Sequence, residues 1–471
     1  MSRRGKMFFN GIDGSTGRYL LPPMTAARVA ALGLSARAEE RERLARTAEL
    51  AAGDGSRDPI FDCDPRNLAE TGWGVIYASG TSPEIKAALA PLLSHRREQV
   101  GERRPSYFQE YEHRPGETAS QLLQRSGSRM GNAADPDRVP YYLLLVGDPE
   151  AIPFTFQSEL DVNYAVGRLH FDTAEEYARY ARSVVDLETG KLRPRLPRRV
   201  SLFGVRNEGD AATRRTADEL VRPLADTLVE PGKGWDLHAY LGPEADKARL
   251  ANLLGGADVP ALLLTACHGV RFPPDDERQL ARQGALVCQD WPGPADEEGV
   301  TLDDYFAAED LSPDAHVHGL VAFLFACYSA GTPARDSFEQ HALGKPPEIA
   351  PHAFVSRLPQ RLLSHPNGGA LAVVGHVDRA WTTSFEGSSR GEGVDIFRNS
   401  LRRLLNGYPV GWAMEYFNQA YATMSAELSD LWEAQHDLED VDPDWFSNLW
   451  MAHNDARSFV VFGDPAVKLA A

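Results

Sequence analysis

Cysteine is scarce in this chain: Cys63, Cys267, Cys288 and Cys327 are the only four in 471 residues. None forms a C-x-x-C pair, and no Cys/His cluster has zinc-finger spacing. This argues against a disulfide framework and fits a reducing compartment. Long apolar runs are missing as well. Nothing is long enough to span a bilayer, and the basic start, Met1 to Asn10, leads into no apolar run of signal-peptide length. The expectation is a soluble chain that stays in the cytoplasm. Positive charge is in deficit, with 49 basic against 67 acidic side chains and a net charge of -18. Such a surface repels phosphate backbones, so nucleic acid is not an expected partner. Cofactor signatures are lacking too: there is no G-x-x-x-x-G-K-[ST] loop, no G-x-G-x-x-G after a strand and no H-E-x-x-H helix. Gly14-Ser15-Thr16-Gly17 is too short to argue for a nucleotide. No cofactor and no metal are expected.

What the chain does have is a series of short apolar runs rich in Val, Leu, Ile and Phe. They lie at 73–78, 141–146, 200–205, 261–265, 320–326, 370–374 and 459–462. Each reads as a strand buried on both faces. Helical patterns fall between them, at 82–97, 175–187, 212–228, 352–363 and 394–405. Strands alternating with helices predict an α/β fold, a mostly parallel sheet flanked by helices. The basic, proline-bearing stretch 191–198 reads as a linker between an α/β unit at 1–190 and a second at 198–471. Residues 37–57 read as a surface helix or a partly ordered arm. Gly-Asp-Pro follows a strand at Gly147 and again at Gly463; each copy reads as a turn that closes a strand, the alternative being a ligand loop.

In parallel α/β sheets, reactive groups collect just beyond the carboxyl ends of strands. Two exits stand out. Ala261 to Thr265 leads through Ala266 and Cys267 into His268-Gly269, and Leu320 to Ala326 leads into Cys327-Tyr328-Ser329. Taken singly, the histidine reads as a strand cap and the cysteine as a buried structural thiol. Taken together, two neighbouring strand ends bring a thiol within proton-transfer reach of an imidazole, the pairing that makes a thiolate nucleophile. The backbone N–H groups of Cys327 and Gly269 would then form an oxyanion hole. The two residues are 59 apart (327 − 268), against about 50 between the caspase histidine and cysteine.

This order of strand-His-Gly and strand-Ala-Cys resembles the caspase-like, clan CD cysteine peptidases, and within them the gingipain type. Further segments carry the likeness: Tyr142 to Pro153, with Val146-Gly147-Asp148; Tyr164 to Leu169, with Gly167-Arg168; Gly369 to Trp381; and Val461 to Leu469. The resemblance implies a caspase-like sandwich and a cysteine endopeptidase that cuts protein substrates. It implies that Glu208 supports His268, and that Trp381, with Phe385 nearby, covers the P1 side chain. Asp210 is placed to face a basic P1 group; Arg214 or Arg215 would instead select an acidic one. His376 follows a strand and is a rival base. The match departs from the caspase motif, since only Ala326-Cys327 survives of Gln-Ala-Cys-x-Gly, and no gingipain-like signal or pro-segment is read. Bacterial intracellular relatives imply a role in defence or programmed death, under control of a partner protein, self-cleavage or the acidic segment between Val270 and His318. The competing readings are an inactive scaffold of the same fold, and an α/β hydrolase or transferase in which Cys327 is merely buried.

Overall fold

The computed structural model describes residues 6–35, 38–51, 60, 63–101, 105–131, 133–192, 196–230, 232–295, 299–338, 346–381, 392–437 and 440–470. All seven apolar runs become strands of one ten-stranded sheet. In chain order its strands are β1 (Trp73–Ala78), β2 (Phe108–His113), β3 (Tyr142–Val146), β4 (Ala165–Leu169), β5 (Arg199–Gly204), β6 (Asp236–Leu241), β7 (Leu262–Ala266), β8 (Val321–Phe325), β9 (Ala372–His376) and β10 (Phe459–Gly463). Their order across the sheet is β2-β1-β3-β4-β10-β9-β8-β7-β5-β6.

Every pairing is parallel except β9 with β10. The sheet is therefore two parallel blocks of opposite direction, joined at one antiparallel seam. Strands from before and after the 191–198 stretch share this sheet, because β10 at the C-terminal end pairs with β4 through Phe462 and Arg168.

Burial explains which strands the sequence pattern shows. β1, β3, β7, β8, β9 and β10 are buried along their whole length, which demands continuous apolar runs. β2 and β6 are the two edges, only partly buried and of mixed polarity. β4 is fully buried but carries Arg168, whose guanidinium is satisfied by Gln157 Oε1 at 2.9 Å and the Ile152 carbonyl at 2.7 Å. A charged residue in mid-strand hides it from a reading by hydrophobicity.

The second Gly-Asp-Pro does more than close a strand. Asp464 is fully buried. It accepts from Arg96 Nε at 2.7 Å and Trp73 Nε1 at 3.0 Å, and its own N–H donates to the Tyr180 hydroxyl at 2.6 Å. The last strand is thus tied to the first and to two helices. Removing the carboxylate takes one of two carboxylate partners from the buried Arg96 guanidinium, which keeps Glu188 at 2.6 and 2.8 Å, and leaves Trp73 Nε1 without its acceptor, so Asp464→Ala is expected to lower stability by about 1–3 kcal/mol in urea unfolding. Loss of less than about 1 kcal/mol would show that the pair adds little.

Helix Ala38–Ala51 packs on a long helix, Glu415–His436, which itself packs on Pro443–Ser458. The region between Val270 and His318 is built over the sheet end, with Val270–Arg271, Leu286–Val287 and Tyr305–Phe306 as short strands and Trp291 buried. Asp296, Glu297 and Glu298 lie outside the described residues. Among the described residues no helix is long and apolar enough to cross a membrane.

Candidate active site

β7 and β8 pair in parallel register, Phe325 opposite Ala266. Two residues further on, Cys327 stands level with His268. The approach is very close. A Cβ on Gly269 would lie 1.8 Å from the Cys327 carbonyl oxygen, so only glycine lets the His268 exit lie against the Cys327 exit. Just after the cysteine, Tyr328 takes φ 57°, the one positive φ at a non-glycine residue among those described. Its N–H donates to the Asp378 carbonyl at 2.8 Å. The chain turns sharply there and leaves the Cys327 side chain at the strand tip.

β5 neighbours β7 on the other side and brings in Asp210. This residue caps the helix Ala211–Arg215. Asp210 Oδ1 accepts from the Ala212 N–H at 2.9 Å and the Tyr19 hydroxyl at 2.7 Å. Its Oδ2 takes the Thr213 hydroxyl at 2.7 Å and His268 Nε2 at 2.7 Å. Burial alone would raise this carboxyl. The His268 charge and the donors from His268, Thr213 and Tyr19 outweigh it and hold Asp210 well below the usual carboxylate range.

The other ring nitrogen, Nδ1, accepts the Gly11 N–H at 2.9 Å. The neutral ring therefore carries its proton on Nε2, pointing at Asp210, and keeps a lone pair on Nδ1. Trp291 packs edge-on against the ring at 5.7 Å. Cys327 Sγ accepts the Ala380 N–H at 3.2 Å, and burial pushes its thiol up to about 12 despite that bond. The Cys327 and Gly269 amides donate to no acceptor among the described residues.

No protein-family model matches this chain, and no curated protein matches it. Solved structures do. One, described as the structure of a protease, matches at 14% identity and TM-score 0.46, over 86% of this chain and 80% of its own. The Arg-specific cysteine proteinase gingipain R matches at 12% identity and TM-score 0.44, over 85% of this chain and 78% of its own. The separase–securin complex of Saccharomyces cerevisiae matches at 11% identity and TM-score 0.34, over 69% of this chain and 15% of its own.

The geometry corrects several expectations from sequence. Asp210, not Glu208, is the carboxylate on His268. Glu208 is exposed two residues earlier in the same loop, because Asn207 turns inward to donate to the Cys288 and Trp291 carbonyls. Asp210 cannot also serve a P1 cation, since both of its oxygens are occupied. Arg214 is exposed and Arg215 pairs with Glu219 one helical turn on. His376 is buried behind the site, bonded to Asp455 Oδ1 at 3.0 Å and packed on Phe459. The same Asp455 oxygen takes the Trp381 N–H at 2.8 Å. Trp381 is buried, with Phe338 at 4.5 Å and Phe9 at 5.6 Å. Phe385 lies outside the described residues. Tyr19, Gly11, Ala380 and Asp455 escaped the sequence reading. Nothing in their local pattern announces them, because each meets the site only through a long-range contact.

Proposed function

We propose that this chain is a caspase-like cysteine endopeptidase, with Cys327 as nucleophile, His268 as acid and base, and Asp210 as the residue that positions the imidazole. One observation carries the reading. Cys327 and His268 stand side by side at the tips of two adjacent parallel strands, with a buried carboxylate on the far nitrogen of the ring. A buried thiol has no structural need of that arrangement. In this reading Nδ1 takes the thiol proton and Sγ attacks the substrate carbonyl carbon. The Cys327 and Gly269 N–H groups then receive the oxyanion. The C–N bond breaks as Nδ1 returns the proton to the leaving amine, and a water activated by Nδ1 hydrolyses the thioester.

We keep a P1 preference for Arg or Lys, without Asp210 as its carboxylate. Arg379, Asp378 and Asp455 are the charges felt at Cys327. Arg379 is already neutralised by Asp336 at 2.7 Å. Asp378 accepts the Arg379 N–H at 2.8 Å and the Ser337 hydroxyl, so it is no freer than Asp210 to bind a P1 cation, and the basic preference rests on the resemblance. On a fluorogenic series with Arg, Lys, Asp and Leu at P1, Arg is expected to be cut fastest. Fastest cleavage after Asp would overturn that preference. The four free cysteines and the resemblance support action inside the cell on protein substrates, under control of a further protein or signal. The rival reading, a scaffold without turnover, draws on the complete burial of Cys327. Absence of any peptide cleavage from the wild-type chain with Cys327 made accessible would favour it.

A further inference from the structure

Besides Trp291 and Ala380, a hairpin far away in sequence lies over Cys327 and His268. Met7 and Met24 bond reciprocally, at 2.7 and 3.1 Å. Between them the chain passes over the strand tips. Phe9 stands edge-on to Trp381. Gly11 donates to His268 Nδ1, and Ile12 forms a parallel pairing with Val270, just past His268-Gly269. Ile12 N–H donates to the Gly269 carbonyl at 3.2 Å and Gly14 N–H to the Arg271 carbonyl at 2.8 Å. Tyr19 returns to Asp210. This is the run of main-chain contacts that an extended peptide makes in a cleft.

We infer that the segment Met7–Met24 is a built-in occupant of the peptidase cleft, which holds the enzyme latent until it is displaced. The inference rests on the reading of Cys327 and His268 as nucleophile and base. The Gly11 N–H engages the lone pair that must receive the thiol proton. No hydrogen bond joins Cys327 Sγ to the ring: Sγ bonds Ala380, and Nδ1 bonds Gly11. The segment is held as a ligand and not as a substrate. The Gly11 carbonyl accepts the Leu20 N–H at 3.0 Å inside the hairpin, so it is turned away from the Cys327 and Gly269 amides that would stabilise an attacked carbonyl.

Gly11 is the point where this occupancy is most sensitive. Its φ is +104°, and a Cβ there would lie 2.7 Å from Leu20 Cδ1 and 3.2 Å from Cys327 Sγ. Only glycine fits between the hairpin and the thiol. Gly11→Val should lift the segment while leaving both strand tips intact.

The experiment is alkylation of the full-length protein by iodoacetamide at neutral pH, read at each cysteine by peptide mass spectrometry. The partly exposed Cys63 serves as internal reference, and circular dichroism and thermal melting confirm the fold. In the wild type, Cys327 should react much more slowly than Cys63. Gly11→Val should speed Cys327 alone by about tenfold or more. Phe9→Asp, which breaks the contact with Trp381, should act in the same direction from a different anchor. A parallel rise in peptide cleavage supports both readings. A rise in alkylation without cleavage upholds the occupancy and sinks the peptidase. Unchanged Cys327 reactivity in both folded variants overturns the inference, as does a wild-type Cys327 that already reacts like Cys63. Loss of residues 1–10 from the wild type but not from Cys327→Ala would also overturn it, because the segment would then be a substrate.

Discussion

Cys327→Ala and His268→Ala, each made in a chain whose cleft has been opened by Gly11→Val, are expected to lower peptide cleavage about 10⁴-fold or more. The two losses should not add, because thiol and imidazole act as one unit: the ring has nothing to deprotonate once Sγ is gone, and a thiol pushed up to about 12 is protonated at neutral pH without the ring. The fold should survive. Cys327→Ala removes one buried atom at a strand tip, a change of about 1 kcal/mol. Turnover of purified Cys327→Ala above a tenth of the parent rate, with melting temperature unchanged, would refute the mechanism.

Asp210→Asn should reduce kcat about 10³- to 10⁴-fold with little change in KM, whereas Glu208→Gln should do neither. Asp210 takes four donors on two oxygens: Tyr19, the Ala212 N–H, Thr213 and His268. An asparagine offers one oxygen and must turn its NH₂ toward donors. The ring can meet that NH₂ only by accepting at Nε2, which moves its proton to Nδ1 and closes the position that must take the thiol proton. The substitution also has a pH signature in stability. A carboxyl held below its usual range stabilises the fold above its unfolded pKa of about 4, and that contribution is lost as pH falls from there toward the lower folded value. The stability gap between wild type and Asp210→Asn should therefore be largest near pH 7 and shrink by pH 3. Equal kinetic defects in Asp210→Asn and Glu208→Gln, or a gap that widens in acid, would remove Asp210 from this role.

The α/β class was legible in the chain's pattern, because most strands buried on both faces are continuous apolar runs, and seven such runs are visible. The sequence also put Cys327 and His268 at the exits of two strands, and the structure pairs those strands side by side. The edge strands β2 and β6 stayed hidden because half of each faces water and needs no apolar residue there. Which carboxylate meets the imidazole follows from long-range packing. Glu208 and Asp210 are two residues apart in one loop. The choice between them depends on the helix cap at Asp210 and on the inward turn of Asn207, neither of which has a period to read. The same holds for Gly11 and Tyr19, which touch His268 and Asp210 across 257 and 191 residues of chain. Hydrophobic periodicity records how each segment meets the core, but not which distant segment comes to lie over a strand tip.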